Sequence, residues 1–213
     1  MDRKRTPPDR LIGAFDNALR TLFAPHTGGT RPNPAADQPT TELDAATTRH
    51  VTGLMRVNQA GEVAAQGLYQ GHALVARDAA LDEQLLEAAA EERDHLNWCT
   101  ERLNELDGRP SFLNPLWYGG AFIMGALTGL AGDRYSLGFI AETEKQVVEH
   151  LDDHLKKLPA SDKRSRAILQ TMQEEEADHG DHAAASGGEA LPKPLRETMR
   201  QVSKLMTRGA YWV

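Results

Sequence analysis

Apolar positions recur along most of this 213-residue chain at the spacing of a helix face, and no run of alternating Val, Ile and Thr suggests strands. The pattern predicts four long helices. The first spans about Asp44 to Ala76 and the second about Asp78 to Leu106. The third spans about Asp133 to Leu158 and ends at Pro159; the fourth starts near Ser161 and ends before Gly187-Gly188. Asp107-Gly108-Arg109-Pro110 stops the second, because glycine suits a C-cap and proline cannot continue a helix. A final helix, about Pro194 to Arg208, offers Leu195, Met199, Val202, Leu205 and Met206 as a packing face.

Two further stretches admit more than one reading. Residues 9–23 put Leu11, Ile12, Phe15, Leu19, Leu22 and Phe23 on one face, which suits a helix docked on the domain or one lying in a membrane surface. Residues 24–42, rich in Pro, Gly and Thr, read as a flexible linker, dividing the chain into residues 1–43 and a main domain of 44–213. Ser111 to Gly132 carries no charge until the third bundle helix begins. It is glycine-rich and short for a span of ~20 apolar residues. It fits a buried helix with close glycine contacts, a membrane span, or a segment that dips into one leaflet or forms the mouth of a lipid-substrate channel.

Each of the four long helices carries one glutamate inside its apolar stripe. Glu144 lies with Leu137, Ile140, Val148 and Leu151, while Glu142, Lys145 and Glu149 point away. Glu92 lies with Leu85, His95, Leu96, Cys99 and Leu103, and Glu91 falls off that stripe. Glu176 shares its face with Leu169, Met172 and His179, and Glu62 shares its face with Met55, Asn58 and Tyr69. Ionised carboxylates on buried faces are costly unless cations sit between them. Four inward glutamates with two Glu-x-x-His pairs form the ligand pattern of a di-iron or di-manganese carboxylate bundle.

The spacing repeats as well. EERDH at 91–95 and EEADH at 175–179 are near copies, and Glu62 precedes Glu92 by 30 residues as Glu144 precedes Glu176 by 32. Two helix-pair repeats related by a pseudo-twofold axis would hold two metals symmetrically. Four carboxylates balance two divalent ions, and the imidazoles bind neutral. Oxygen ligands with one imidazole per metal suit iron or manganese better than zinc or copper. The candidate metal ligands are Glu62, Glu92, His95, Glu144, Glu176 and His179. Asp94 and Asp178 are candidates for orienting outer groups; His150 and His154 lie off the Glu144 stripe, and His50, His72 and His182 read as surface or packing residues.

Composition narrows the classes. A formal charge of −7 argues against nucleic acid as a partner. The single cysteine, Cys99, excludes an intrachain disulfide, a four-cysteine zinc site and an iron–sulfur cluster held by this chain alone, and it matches a reducing cytosol. Asp16 and Arg20 interrupt the apolar stretch behind the basic start, against a cleaved signal peptide.

RVNQAGEVAA at 56–65, EERDHLNW at 91–98, GDRYSLGFIAETEKQVVEHL at 132–151 and EEEADHGDHA at 174–183 resemble the demethoxyubiquinone hydroxylases, over about residues 45–213. The resemblance implies an all-α, ferritin-like four-helix bundle with extra N-terminal, glycine-rich and C-terminal helical segments. It implies a monooxygenase of ubiquinone biosynthesis that uses O2 and two Fe ions, cycling between Fe2+ and Fe3+, to hydroxylate the ring of a polyprenylated demethoxyubiquinol. The six residues above then become iron ligands, with Glu92 and Glu176 bridging both ions. A polyprenyl tail does not dissolve in cytosol, so a peripheral place on the cytoplasmic face of the cell membrane is expected. Segments 9–23 and 111–132 are the candidates for that contact, and other ubiquinone-synthesis proteins are candidate partners. The rival readings are a ferritin-like iron store and a peroxide-handling di-metal protein.

Overall fold

A computed structural model describes residues 6–24, 30–77 and 79–213. These residues form α1 (Pro7–Phe23), α2 (Ala45–Val75), α3 (Ala79–Glu105), α4 (Asn114–Ala131), α5 (Asp133–Lys157), α6 (Lys163–Ala185) and α7 (Lys193–Trp212), with no strand among them. Side-chain caps set several starts. Thr6 and Asp9 form a capping box on α1, the Asp44 carboxylate accepts from the amides of Ala46 and Thr47 on α2, and Asp162 accepts from Ser165 N on α6.

The end of α3 differs in detail from expectation. Asp107, not Gly108, takes the left-handed conformation, with φ 52°. A short polar side chain tolerates that region. Gly108 is needed for closeness instead: its amide donates to Leu103 O at 2.8 Å, and a Cβ there would press on Thr52 and Leu103.

Helices α2, α3, α5 and α6 form the bundle, and its interior has two apolar plugs. One gathers Val51, Met55, Trp98, Leu103, Leu151 and Leu169, and the other Tyr69, Leu81, Leu85, Leu137, Ile140 and Ala183. Each helix crosses from one plug to the other, and Glu62, Glu92, Glu144 and Glu176 fall at the crossing, in a polar layer sealed at both ends.

The remaining helices coat α2. Helix α4 runs parallel to α2, with Gly67 against Tyr118, Gly71 against Phe122, Gly125 against Leu68 and Gly129 against Val75. A Cβ at Gly67, Gly71 or Gly125 would overlap a backbone carbonyl oxygen of the other helix, so these glycines set the approach of the two backbones. Segment 111–132 is therefore a helix with close glycine contacts on one face. Its other face leaves Leu116, Ile123, Met124, Leu127 and Leu130 exposed. No helix among the described residues is long and apolar enough to cross a membrane.

Helix α1 is docked, but of its apolar stripe only Leu22 packs against the bundle, beside Val63, Leu96 and Tyr118. Ala14, Asn17 and Thr21 are buried, while Leu11, Ile12, Phe15, Leu19 and Phe23 are exposed. Polar anchors hold this orientation: Arg10 Nη1 donates to Ala73 O and Ala76 O at 3.2 and 3.0 Å, and Arg93 Nη2 donates to Asn17 Oδ1 at 3.1 Å. On α7, Ala210 packs against Val57 and Ala60, and Leu195 and Met199 are partly covered. Val202 and Leu205, expected to pack, are exposed at 59% and 66% because the outer surface of α7 has no neighbour among the described residues.

Gly71→Ala should lower unfolding stability by about 1–3 kcal/mol, the usual cost of overpacking. Gly120→Ala, at an exposed helical position with open space around the new methyl, should be neutral or stabilising by up to about 1 kcal/mol. Urea midpoints of the two variants check this; equal shifts would contradict the backbone-to-backbone packing of α2 and α4.

Candidate metal centre

Five of the six residues singled out by the sequence lie at or below 3% exposure, and His179 is only slightly exposed. Glu62, Glu92, His95 and Glu176 each offer a ligand atom, and these atoms lie within 4.8 Å of one another. Both bundle repeats point an imidazole Nδ1 at the same two carboxylates. His95 Nδ1 is 3.2 Å from Glu92 Oε2 and 3.2 Å from Glu176 Oε1. His179 Nδ1 is 3.0 Å from Glu92 Oε1 and 3.6 Å from Glu176 Oε2. Glu92 and Glu176 thus divide their two oxygens between the two histidines. Glu62 completes the His95 side at 3.8 Å. Glu144 is held at the edge of the cluster, where Tyr69 Oη donates to its Oε1 at 2.7 Å.

Each histidine's second nitrogen meets an outer carboxylate from the opposite repeat. His95 Nε2 lies 2.7 Å from Glu175 Oε2, and His179 Nε2 lies 2.6 Å from Glu91 Oε2. A hydrogen bond at Nε2 fixes the ring and leaves Nδ1 facing the inner carboxylates, where it could coordinate a metal. The sequence pattern set Glu91 aside because it leaves its own helix's stripe. The doubled acid in EERDH and EEADH was its one available signal. Asp94 does serve an outer role, accepting from Thr30 and Arg31, whereas Asp178 is exposed. Tyr69 was legible only as a stripe residue.

The carboxylates and imidazoles of the layer shift one another strongly. Burial drives the Glu62 and Glu144 carboxyls well above their usual range, and the nearby glutamates add to it. Burial opposes protonation of His95, but Glu92 and the bonded carboxylates of Glu175 and Glu176 outweigh it and raise this group well above normal. His179 is pushed up to about 12: burial again opposes the proton, and Glu176 and Glu92 prevail. Glu92 sits below the ordinary carboxylate range because the two imidazolium rings overcome its burial. Protons thus occupy the place of cations.

Glu62, Glu92, His95 and Glu176 together fit a metal ion. Glu62 Oε2, Glu92 Oε1, Glu176 Oε2 and His179 Nδ1 are buried without a hydrogen-bond partner, and such atoms are rare in a finished interior. Carboxylate oxygens with imidazole nitrogen suit divalent iron or manganese. A cavity of about 600 Å³ between α5, α6 and residues 188–191 reaches Glu176 past Gly138, Ala141 and Gly180, with Lys145 and Arg196 also on its wall.

Fold and site together define a helical bundle with a buried carboxylate–histidine centre, the architecture of the ferritin-like metal proteins. Within that class the chain belongs to the family described as Ubiquinone biosynthesis protein COQ7, whose model matches residues 49–210. It is similar to proteins named 3-demethoxyubiquinol 3-hydroxylase. One from Xanthomonas oryzae pv. oryzae (strain PXO99A) is 55% identical over 98% of this chain and 96% of its own length. One from Ralstonia pickettii (strain 12J) is 55% identical over 95% of this chain and 98% of its own, and one from Xanthomonas campestris pv. campestris (strain 8004) is 52% identical over 98% and 96%.

Metal uptake by the metal-free protein should release protons. His95 and His179 hold theirs at neutral pH, whereas a coordinating Nδ1 must be bare. Affinity should therefore rise with pH, by about one log unit per pH unit for each proton displaced, and fall as the solution is acidified. Calorimetry in buffers of different ionisation heat should find at least about two protons released per pair of Mn2+ ions at pH 7. Uptake without proton release would contradict the charge state of the cluster.

Proposed function

We propose that this protein is an oxygen-dependent 3-demethoxyubiquinol 3-hydroxylase of ubiquinone biosynthesis, with Glu62, Glu92, His95, Glu144, Glu176 and His179 holding two iron ions. The observation that carries the reading is the crossing of Glu92 and Glu176 between two imidazoles at 3.0–3.6 Å, inside a chain half identical to hydroxylases over nearly its whole length. Two bound ferrous ions would supply electrons to O2 for insertion of one oxygen into an electron-rich ring. Iron storage is not favoured, since the relatives that match the whole chain carry the hydroxylase name.

The chain's own residues provide the setting. Apolar plugs on both sides keep bulk water from the cluster. The small residues Ala141 and Gly180 leave room beside Glu176 for a flat ring. Tyr69 keeps its hydroxyl proton, raised by burial and by Glu144, and so holds the Glu144 carboxylate by donation.

The substrate's tail places the enzyme on a membrane in this reading, as a peripheral protein of the cytoplasmic face of the bacterial cell membrane. Support comes from three outer helices that turn apolar side chains to solvent: Leu11, Ile12, Phe15 and Leu19 on α1, Ile123 and Leu127 on α4, and Val202 and Leu205 on α7. Arg109 lies 4.5 Å over Phe112 and shares a cavity wall with Arg49 and exposed Trp212, a basic rim suited to lipid phosphates. Other ubiquinone-synthesis proteins are further candidates for the same apolar surface.

Glu144→Ala and His179→Ala should each lose bound iron and quinol hydroxylation together, assayed by iron content and by product from a short-chain demethoxyubiquinol. Full turnover by an iron-depleted variant would contradict the assignment. The pair Phe15→Glu and Leu19→Glu should reduce co-sedimentation with lipid vesicles by about tenfold or more at unchanged iron content. Equal sedimentation would remove α1 from the membrane contact.

A further inference from the structure

The two histidines of the centre have matching hydrogen bonds but unequal surroundings, and the difference lies outside the repeats. On the His95 side, Glu175 uses its second oxygen, Oε1, to accept from Arg31 Nη1 at 2.7 Å. Arg31 Nε donates to Asp94 Oδ2 at 2.8 Å, and Thr30 fastens the same carboxylate through its amide at 2.7 Å and its hydroxyl at 2.8 Å. The guanidinium also lies 5.0 Å over the ring of Trp98, whose own centroid is 5.3 Å from His95. His95 is thus wedged between an ion-paired carboxylate and an indole that the same arginine covers.

On the His179 side none of this exists among the described residues. Glu91 is 55% exposed and, among the described residues, has no cation at ion-pair distance except His179 itself. Asp178, the counterpart of Asp94, is exposed, and Ala177 stands where the other repeat has Arg93. The cavity beside the centre is also lined by Ala177, Gly180 and Asp181, on this open side.

We infer that Arg31 is a positioning residue for the His95 half of the centre, and that Thr30 and Arg31 make the two metal positions unequal: one closed and slow to release its ion, the other open and exchangeable. This rests on the di-metal reading above. An outer carboxylate orients its histidine only as well as it is itself held, and loss of such partners typically lowers metal affinity by about 10–100-fold. Arg31 holds Glu175 and Asp94 at once with a planar fork, which lysine cannot reproduce.

The test is anaerobic release of Fe2+ from the iron-loaded protein to a coloured ferrous chelator. Wild-type protein should lose two ions in two phases. Arg31→Gln should accelerate the slow phase by about 10–100-fold and leave the fast phase alone, with Arg31→Lys intermediate. Glu91→Gln should change only the fast phase. Metal-free Arg31→Gln should melt somewhat lower than the metal-free wild type, since Asp94 loses its cation, but only a merely structural role would speed both phases. A slow phase unchanged in Arg31→Gln, both phases accelerated equally, or a single phase in a wild-type protein holding two ions overturns this inference alone. A wild-type protein that takes up fewer than two ions overturns the di-metal reading with it.

Discussion

Four carboxylates share one sealed layer of a helical bundle, and their mutual repulsion in a medium that solvates charge poorly governs the rest of the structure. Apolar plugs above and below prevent the side chains from escaping to water. Something positive must therefore occupy the layer. The neighbouring carboxylates push both histidines towards the protonated form, and burial together with the other glutamates pushes the Glu62 and Glu144 carboxyls well above their usual range. In the proposed di-metal reading, metal binding and deprotonation are one event, and crowded charge becomes affinity for cations.

The helices outside the bundle answer a different demand. The glycine seam between α2 and α4 lets a helix with two apolar faces bury one and present the other. Helix α1 reaches the same outcome by opposite means, anchored through Arg10 and Asn17 while its aromatic and aliphatic side chains stay outside. Exposed apolar rows on α1, α4 and α7 are poor design for a free soluble surface. The membrane contact proposed for the enzyme rests on these rows.

Most of the centre was legible because a single charge on an apolar stripe is a strong signal, and here it occurs once in each of four helices. Period alone chose Glu92 over Glu91 and Glu176 over its neighbours, and the structure places the chosen side chains together. The outer carboxylates were not legible. Glu91 and Glu175 act on the opposite repeat's histidine, and that pairing depends on how α3 and α6 face each other, which no single-helix pattern contains. The attachment of Thr30 and Arg31 was equally hidden: Pro, Gly and Thr content describes a chain's freedom, not the ion pairs that can hold it. Residues 25–29 of the stretch read as a linker lie outside the described residues. The apolar stripes of α1 and α7 were recognised, but a stripe does not say whether protein or lipid covers it, and Val202 and Leu205 proved to face outward.

The most direct test of the central claim is anomalous diffraction at the iron edge from crystals of the iron-loaded protein. Two peaks flanking Glu92 and Glu176, one beside Nδ1 of His95 and one beside Nδ1 of His179, are the expected result. A loaded crystal with no peak in that layer, or a single peak on the protein surface, would contradict it.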